Sequence, residues 1–310
     1  MNQGLVLALD IGGTNARGEV LDVRLGAPLV RADLPTPERD GEATVATIES
    51  LCRLLLAGLS DVDRSRVCAV GLAVPGIVEG PTGVVRLASN LGWADEPVAA
   101  RLSALLGLDV VLHHDVTAAG VAEHRLGAGA GASDLLAVFI GTGMAALVVA
   151  GGEVVSGGLH QAGEIGHIPV ERGGRPCPCG QTGCLEMYAS ARAIGRAYGA
   201  LTGDPDATSL DVVTSLGSDP RADIVWAEAM DWLAHGLLGP ITLLSPARVV
   251  LGGGLSASGA VLVEALRSRL AALSHVAAVP EIVTASLGQR AGVLGSGLAT
   301  FDAIERRQLV

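Results

Sequence analysis

Glu164-x-x-His167 is followed by Cys177-x-Cys179-x4-Cys184 and then by Glu186. Three cysteines within eight residues, with a histidine ten positions upstream, form an N/S donor set that suits tetrahedral Zn2+. With all four positions filled by protein, such a site is structural rather than catalytic. Gly173, Gly174, Pro176, Pro178, Gly180 and Gly183 favour tight turns that wrap a metal. A disulfide between two of these cysteines is the competing reading. No secretory signal is evident, so reduced thiols and a cytoplasmic location are expected. Zinc is the reading taken, and it leaves Glu164 and Glu186 as carboxylates beside a rigid loop.

A second cluster is Asp10-Ile11-Gly12-Gly13-Thr14-Asn15. An acid at a strand end followed by glycines lets backbone N–H groups approach phosphate oxygens, and Thr14 adds a hydroxyl. Asp10 suits Mg2+ held through water; an ordinary hairpin turn is the alternative. Gly252-Gly253-Gly254 after an apolar run offers bare backbone to a nucleotide. Asp115 follows a strand pattern and opens a helix pattern. That position suits either an N-cap or a carboxylate that takes a proton from a hydroxyl nucleophile.

These groups need elements to hold them. Apolar runs predict strands at Leu5–Leu9, Arg17–Val23, Leu29–Leu34, Val67–Val74, Val110–His114 and Val249–Leu251. Apolar spacing predicts helices over Ala43–Leu59, Val98–Leu106, Val116–Leu126 and Gly259–Leu273. Gly80-Pro81-Thr82-Gly83 reads as a hairpin turn, and the Gly/Ala run Gly127–Ser133 as a hinge. Ala137-Val138-Phe139-Ile140-Gly141-Thr142-Gly143 echoes Leu7-Ala8-Leu9-Asp10-Ile11-Gly12-Gly13-Thr14, either by duplication or because strand-turn-strand patterns are common. The alternation predicts an α/β fold with mixed sheets.

The chain's 310 residues suffice for two domains, and aromatics at 2% leave Ala, Val, Leu and Ile to build the cores. A net charge of -11 argues against nucleic acid as a partner. All 21 cationic side chains are arginine, which excludes a P-loop, Schiff-base or general-base lysine. The uncharged run Leu135–Gly152 is nominally long enough for a membrane, but Gly141-Thr142-Gly143 splits it into two buried strands. No membrane association is expected. Cys52 and Cys68 read as core residues.

Asp10-Ile-Gly-Gly-Thr-Asn15, Ser89-Asn90-Leu-Gly-Trp93, Asp115 with Ala118-Ala119, Gly141-Thr-Gly143, Gly163-Glu-Ile-Gly-His167, the cysteine run ending in Leu-Glu186 and Gly252-Gly-Gly254 together resemble the ROK family (repressors, open reading frames, kinases). The order and spacing match over nearly the whole chain. The resemblance implies a two-lobed actin-like (ribonuclease H-like) ATPase fold with an interdomain cleft and a zinc loop. It places the first lobe at 1–117 with a returning C-terminal helix at about 292–310, and the larger lobe at 118–291. It also implies a glucokinase-like hexose kinase using MgATP, and assembly as a homodimer.

Carried over by position, Asp115 is the general base, and Asn90, Glu164, His167 and Glu186 contact the sugar. His167, Cys177, Cys179 and Cys184 hold structural zinc. Asp10, Gly12, Gly13, Thr14, Asn15, Gly141, Thr142, Gly143, Gly253 and Gly254 face the nucleotide. His114 stands where the family usually has Asn, a position near the substrate, and Met144-Ala145-Ala146-Leu147 stand where it has glycines. Thr117 replaces another common Asn, and Gln161 a frequent Gly. Glucose is the expected acceptor, with N-acetylmannosamine, mannose, allose and fructose as alternatives. A non-catalytic sugar sensor is the reading from another class. A repressor would carry a DNA-binding segment ahead of the first strand, which here begins at Leu5.

Overall fold

The structure, a computed structural model, describes residues 4–159 and 161–308. Residues 1–3 and 309–310, counted above with the first lobe, lie outside the described residues.

β1 (Leu5–Ile11) is buried at every position but Asp10, as an apolar strand covered on both faces must be. A tight turn, closed by Gly12 N–H donating to Asn15 C=O at 2.9 Å, returns it into antiparallel β2 (Asn15–Asp22) and then β3 (Val30–Pro35). α1 (Gly41–Ala57) starts where the Asp40 carboxylate accepts Ala43 N–H at 3.0 Å. Val45, Ile48, Leu51, Cys52 and Leu55 make its buried stripe. The one-turn α2 (Asp61–Arg64) precedes β4 (Val67–Val74), which lies parallel to β1. A small sheet follows, made of β5 (Ile77–Glu79), β6 (Val84–Ala88) and β7 (Trp93–Glu96). α3 (Val98–Leu106) leads into β8 (Asp109–His114), parallel to β4, and β8 runs directly into α4 (Asp115–Leu126). The five-stranded sheet has the order β3-β2-β1-β4-β8.

The second sheet repeats this plan. β9 (Leu135–Ile140) turns into antiparallel β10 (Met144–Ala150) and β11 (Glu153–Val154). A helical stretch follows, with α5 (Glu186–Ala189), α6 (Ala191–Thr202), α7 (Ser209–Thr214) and α8 (Pro220–Leu244). β12 (Arg248–Gly252) lies parallel to β9; α9 (Ala260–Leu273) and β13 (Glu281–Thr284) complete the order β11-β10-β9-β12-β13. Strand order and directions match those of the first sheet, so the echo between residues 7–14 and 137–143 is a structural repeat. α10 (Ala291–Gln308) ends the described chain.

The chain divides into two compact units, Met1–Ala122 with Gln289–Val310, and Glu123–Gly288. Each has its own aliphatic core, around Leu7, Leu9, Ile48 and Leu72 in the first and around Val138, Leu233, Leu237 and Leu266 in the second. In the first unit α10 crosses α4 so closely that a methyl at Gly295 would stand 1.7 Å from Ala118 C=O. Glycine is therefore required there. Among the described residues no helix is long and apolar enough to cross a membrane.

Candidate active site

In the first unit, Asp10 is carried by the last turnward positions of β1 and Asp115 by the junction of β8 and α4. The two carboxylates interact electrostatically. Burial first, and the Asp115 charge second, push the Asp10 carboxyl up to about 6, while Arg17 pulls it down. Arg17 is the in-register partner of Asp10 on β2, which places both side chains on one face of the sheet. Asn90 lies beside the glycine turn: a methyl on Gly13 would stand 3.3 Å from Asn90 Nδ2.

Asp115 Oδ1 accepts Val116 N–H at 2.7 Å. A capping carboxylate instead accepts an N–H two or three residues on. His114 Nε2 lies 3.3 Å from the same oxygen. The other oxygen, Oδ2, meets no partner among the described residues, which leaves an acceptor for a substrate hydroxyl. Strand alternation separates the two histidines of β8. His113 faces inward to Thr300 Oγ1 at 3.1 Å, and burial pushes it down to about 4. His114 is half-buried beside Asp115 and is not a core residue.

In the second unit, ligand atoms of His167, Cys177, Cys179 and Cys184 all lie within 4.8 Å of one another. Cys179 Sγ and Cys184 Sγ are 3.7 Å apart, as are Cys177 Sγ and His167 Nδ1. A tetrahedron with Zn–S bonds of about 2.3 Å has S···S edges of about 3.8 Å, so the cluster fits zinc in both donor type and size. Burial pushes the Cys177 and Cys184 thiols up, while a backbone N–H at Gln181 pulls Cys179 down. The loop is gathered by Cys177 N–H to Gln181 C=O and Gly183 N–H to Arg175 C=O, both 2.8 Å.

His167 presents Nδ1 to the cysteines and Nε2 toward Glu164, whose Oε2 is 3.9 Å away. Glu186 opens α5, with Oε1 3.2 Å from Cys177 Sγ and 3.8 Å from His167 Nδ1. A methyl on Gly143 would stand 3.3 Å from Glu186 Oε2, so the Gly141–Gly143 turn adjoins the end of the cysteine loop. Gly253 backs onto Ile140, the last residue before that turn, which brings the Gly252–Gly254 backbone beside it. The side chains of Met144, Ala146 and Leu147 are buried, and Met144 and Ala146 belong to the core of this unit. Met144 therefore projects away from the turn rather than across it.

In the first unit Arg17 and Gly292 adjoin Asp10, and the second unit holds a buried carboxylate, Glu123; none of the three stands out in the sequence. Arg17 becomes visible once the hairpin register pairs it with Asp10. Gly292, at the start of α10, packs on the Asp10 carboxylate, and nothing local announces it. Glu123 in α4 is fully buried and accepts N–H groups of Ala128, Ser286 and Leu287 at 2.8–3.1 Å.

Two sheets of one repeated plan, each with a glycine turn at its first hairpin, make this an actin-like ATPase fold, as in its structural neighbours. The pattern that defines the ROK family matches residues 6–300, and the chain belongs to that family. It is 33% identical over 316 aligned positions to a glucokinase of Halalkalibacterium halodurans, covering 96% of this chain and 95% of the relative. A ROK hexokinase from Thermus thermophilus superposes with a TM-score of 0.85 at 31% identity, over 97% of this chain and 99% of that one. A ROK glucokinase from Streptomyces griseus, solved with glucose and AMPPNP, superposes with a TM-score of 0.81 at 29% identity, over 95% and 98%.

Proposed function

We propose that this protein is a sugar kinase that transfers the γ-phosphoryl group of ATP to a hexose hydroxyl, glucose 6-OH foremost. The similarity to glucokinases over nearly the whole chain supports this activity. The observation that carries the chemistry is Asp115, a half-exposed carboxylate with one oxygen engaged and the other open, electrostatically coupled to Asp10.

In this reading Asp115 Oδ2 takes the proton of the sugar hydroxyl as its oxygen attacks phosphorus. Oδ1, fixed by Val116 N–H, holds the carboxylate plane so that Oδ2 meets the hydroxyl in one orientation. Asn90, Glu164, His167 and Glu186 hold the other sugar hydroxyls, and His114 sets the surroundings of the base. The Asp10–Asn15 and Gly141–Gly143 turns and the Gly253–Gly254 backbone receive the nucleotide. Mg2+ arriving with ATP neutralises phosphate charge, and the raised Asp10 carboxyl, beside a like charge, suits water-mediated contact with such a cation. Zinc on His167, Cys177, Cys179 and Cys184 orders the loop that carries the sugar contacts, with one ring nitrogen of His167 on the metal side and the other on the sugar side. Homodimer assembly belongs to the same reading and rests on the family resemblance.

The test is phosphotransfer from MgATP across a hexose panel that includes N-acetylmannosamine, with wild type and Asp115→Asn side by side. One preferred sugar, with turnover lower by about 10²–10⁴-fold in the variant and sugar binding kept, supports the reading. Near-normal turnover in the variant would remove Asp115 from the chemistry. Sugar binding with no transfer would leave a sensor.

A further inference from the structure

We propose that Tyr188 is a positioning residue: with Glu171 and Arg175 it forms a second fastening of the zinc loop, separate from the metal ligands, that fixes where Glu186 stands. The functional consequence rests on the reading of Glu186 as a sugar contact.

α5 is four residues long, has no side-chain cap, and begins at Glu186. A helix so short has no stability of its own, so the place of Glu186 depends on what grips α5 from outside. Tyr188, in the same turn, is buried. Its Oη donates to Glu171 Oε2 at 2.5 Å and accepts Arg175 N–H at 2.6 Å. Glu171 and Arg175 both precede the first cysteine of the loop, and Tyr188 follows the last. One phenol oxygen therefore ties the loop's entry to its exit.

Arg175 strengthens the tie. Its guanidinium lies 4.5 Å from the centroid of the Tyr188 ring, and Nη1 donates to Met187 C=O at 3.0 Å. Nη2 is 3.7 Å from Glu228 Oε1 on α8, and Trp232 of α8 stacks obliquely on Tyr188 with centroids 4.7 Å apart. α8, a long helix packed in the core of the second unit, thus anchors the fastening. Gly174 shows how tight the closure is, since a methyl there would stand 2.2 Å from Tyr188 Oη. Burial and the neighbouring Glu171 push the phenol pKa up, which keeps it a proton donor. None of these side chains belongs to the four-residue metal cluster.

The test uses Tyr188→Phe, which deletes one oxygen and keeps the ring on Arg175 and Trp232. Amide exchange across residues 171–187, zinc content, and KM for sugar and for MgATP are measured against wild type. Expected are exchange faster by about tenfold in that segment, zinc retained, sugar KM raised about tenfold, and MgATP KM within about twofold. Glu171→Gln keeps an acceptor for the phenol and is expected to behave nearly as wild type, whereas Glu171→Ala matches Tyr188→Phe. Unchanged exchange in Tyr188→Phe, or zinc lost together with sugar affinity, overturns the proposal. Faster exchange with zinc retained, in a protein that never responds to sugar, upholds the fastening and overturns the sugar assignment of Glu186 instead.

Discussion

Gly292 touches Asp10. A methyl at Gly292 would stand 2.4 Å from Asp10 Oδ2 and 2.9 Å from Oδ1, so the first turn of α10 is moulded onto that carboxylate. A helix N-terminus also favours a neighbouring negative charge. Gly292→Ala is expected to displace the Asp10 carboxylate and lower kcat/KM for MgATP by at least about tenfold, with the sugar KM nearly unchanged. Steady-state kinetics with each substrate varied in turn checks this. An equal loss for both substrates would point to general misfolding.

Asp10 also makes stability depend on pH. Its carboxyl is raised from an ordinary 3.8 to about 6 in the folded protein, so folding holds the proton more tightly than the unfolded chain does. The native state is therefore favoured below the unfolded value, and that advantage is lost as pH rises from about 4 through about 6. Asp10→Asn removes the ionisation. The variant is expected to gain stability over wild type on raising the pH from 4 to 7, by on the order of 2 kcal/mol. Urea midpoints of both proteins at several pH values measure it, and parallel curves would refute it.

Zinc is expected at one atom per chain in freshly reduced protein, by elemental analysis. Cys184→Ser, which removes a fully buried ligand atom, is expected to lose the metal and to weaken sugar binding by about 10–100-fold. Protein that is metal-free yet binds sugar normally contradicts this.

Glu123 is the first residue of the second unit and gathers the N–H groups of Ala128, Ser286 and Leu287 on one buried carboxylate. Glu123→Ala leaves those donors without an acceptor and is expected to cost about 3–5 kcal/mol. Glu123→Gln keeps one acceptor oxygen and is expected to cost less than half as much. Equilibrium unfolding distinguishes the two.

What local spacing encodes was legible. His167 and the three cysteines lie close together in sequence, and Asp10 and Asp115 stand at or just past the ends of strands whose apolar runs are plain, so both candidate sites could be picked out before any fold was known. The β1/β2 and β9/β10 hairpins were legible for the same reason. Contacts between distant segments were not: Gly292 lies far along the chain from Asp10, and Ser286 from Glu123, and no periodicity links them. Three helices between Glu186 and Leu244 also escape a simple reading, although α6, with Ala193, Ile194 and Tyr198 on one buried face, does not. α5 and α7 are too short to show a helical period, and α8 is apolar over much of its circumference with Pro240 inside it. Of the adjacent histidines, only the folded structure shows that His113 turns to Thr300 and His114 to Asp115.

The first unit is interrupted, since α10 packs on its β1 and β4 but follows the whole second unit in sequence. On the ribosome, β1 through α4 must wait, without their covering helix, while residues 123–288 are made. At about 5–20 residues per second that delay is on the order of ten seconds or more. The contiguous second unit can fold in that interval, whereas the face of β1 and β4 that carries Ala8 and Gly71 is sealed only when the last helix emerges. The vulnerable species in synthesis is therefore a half-covered first sheet, and a chaperone would find its target there.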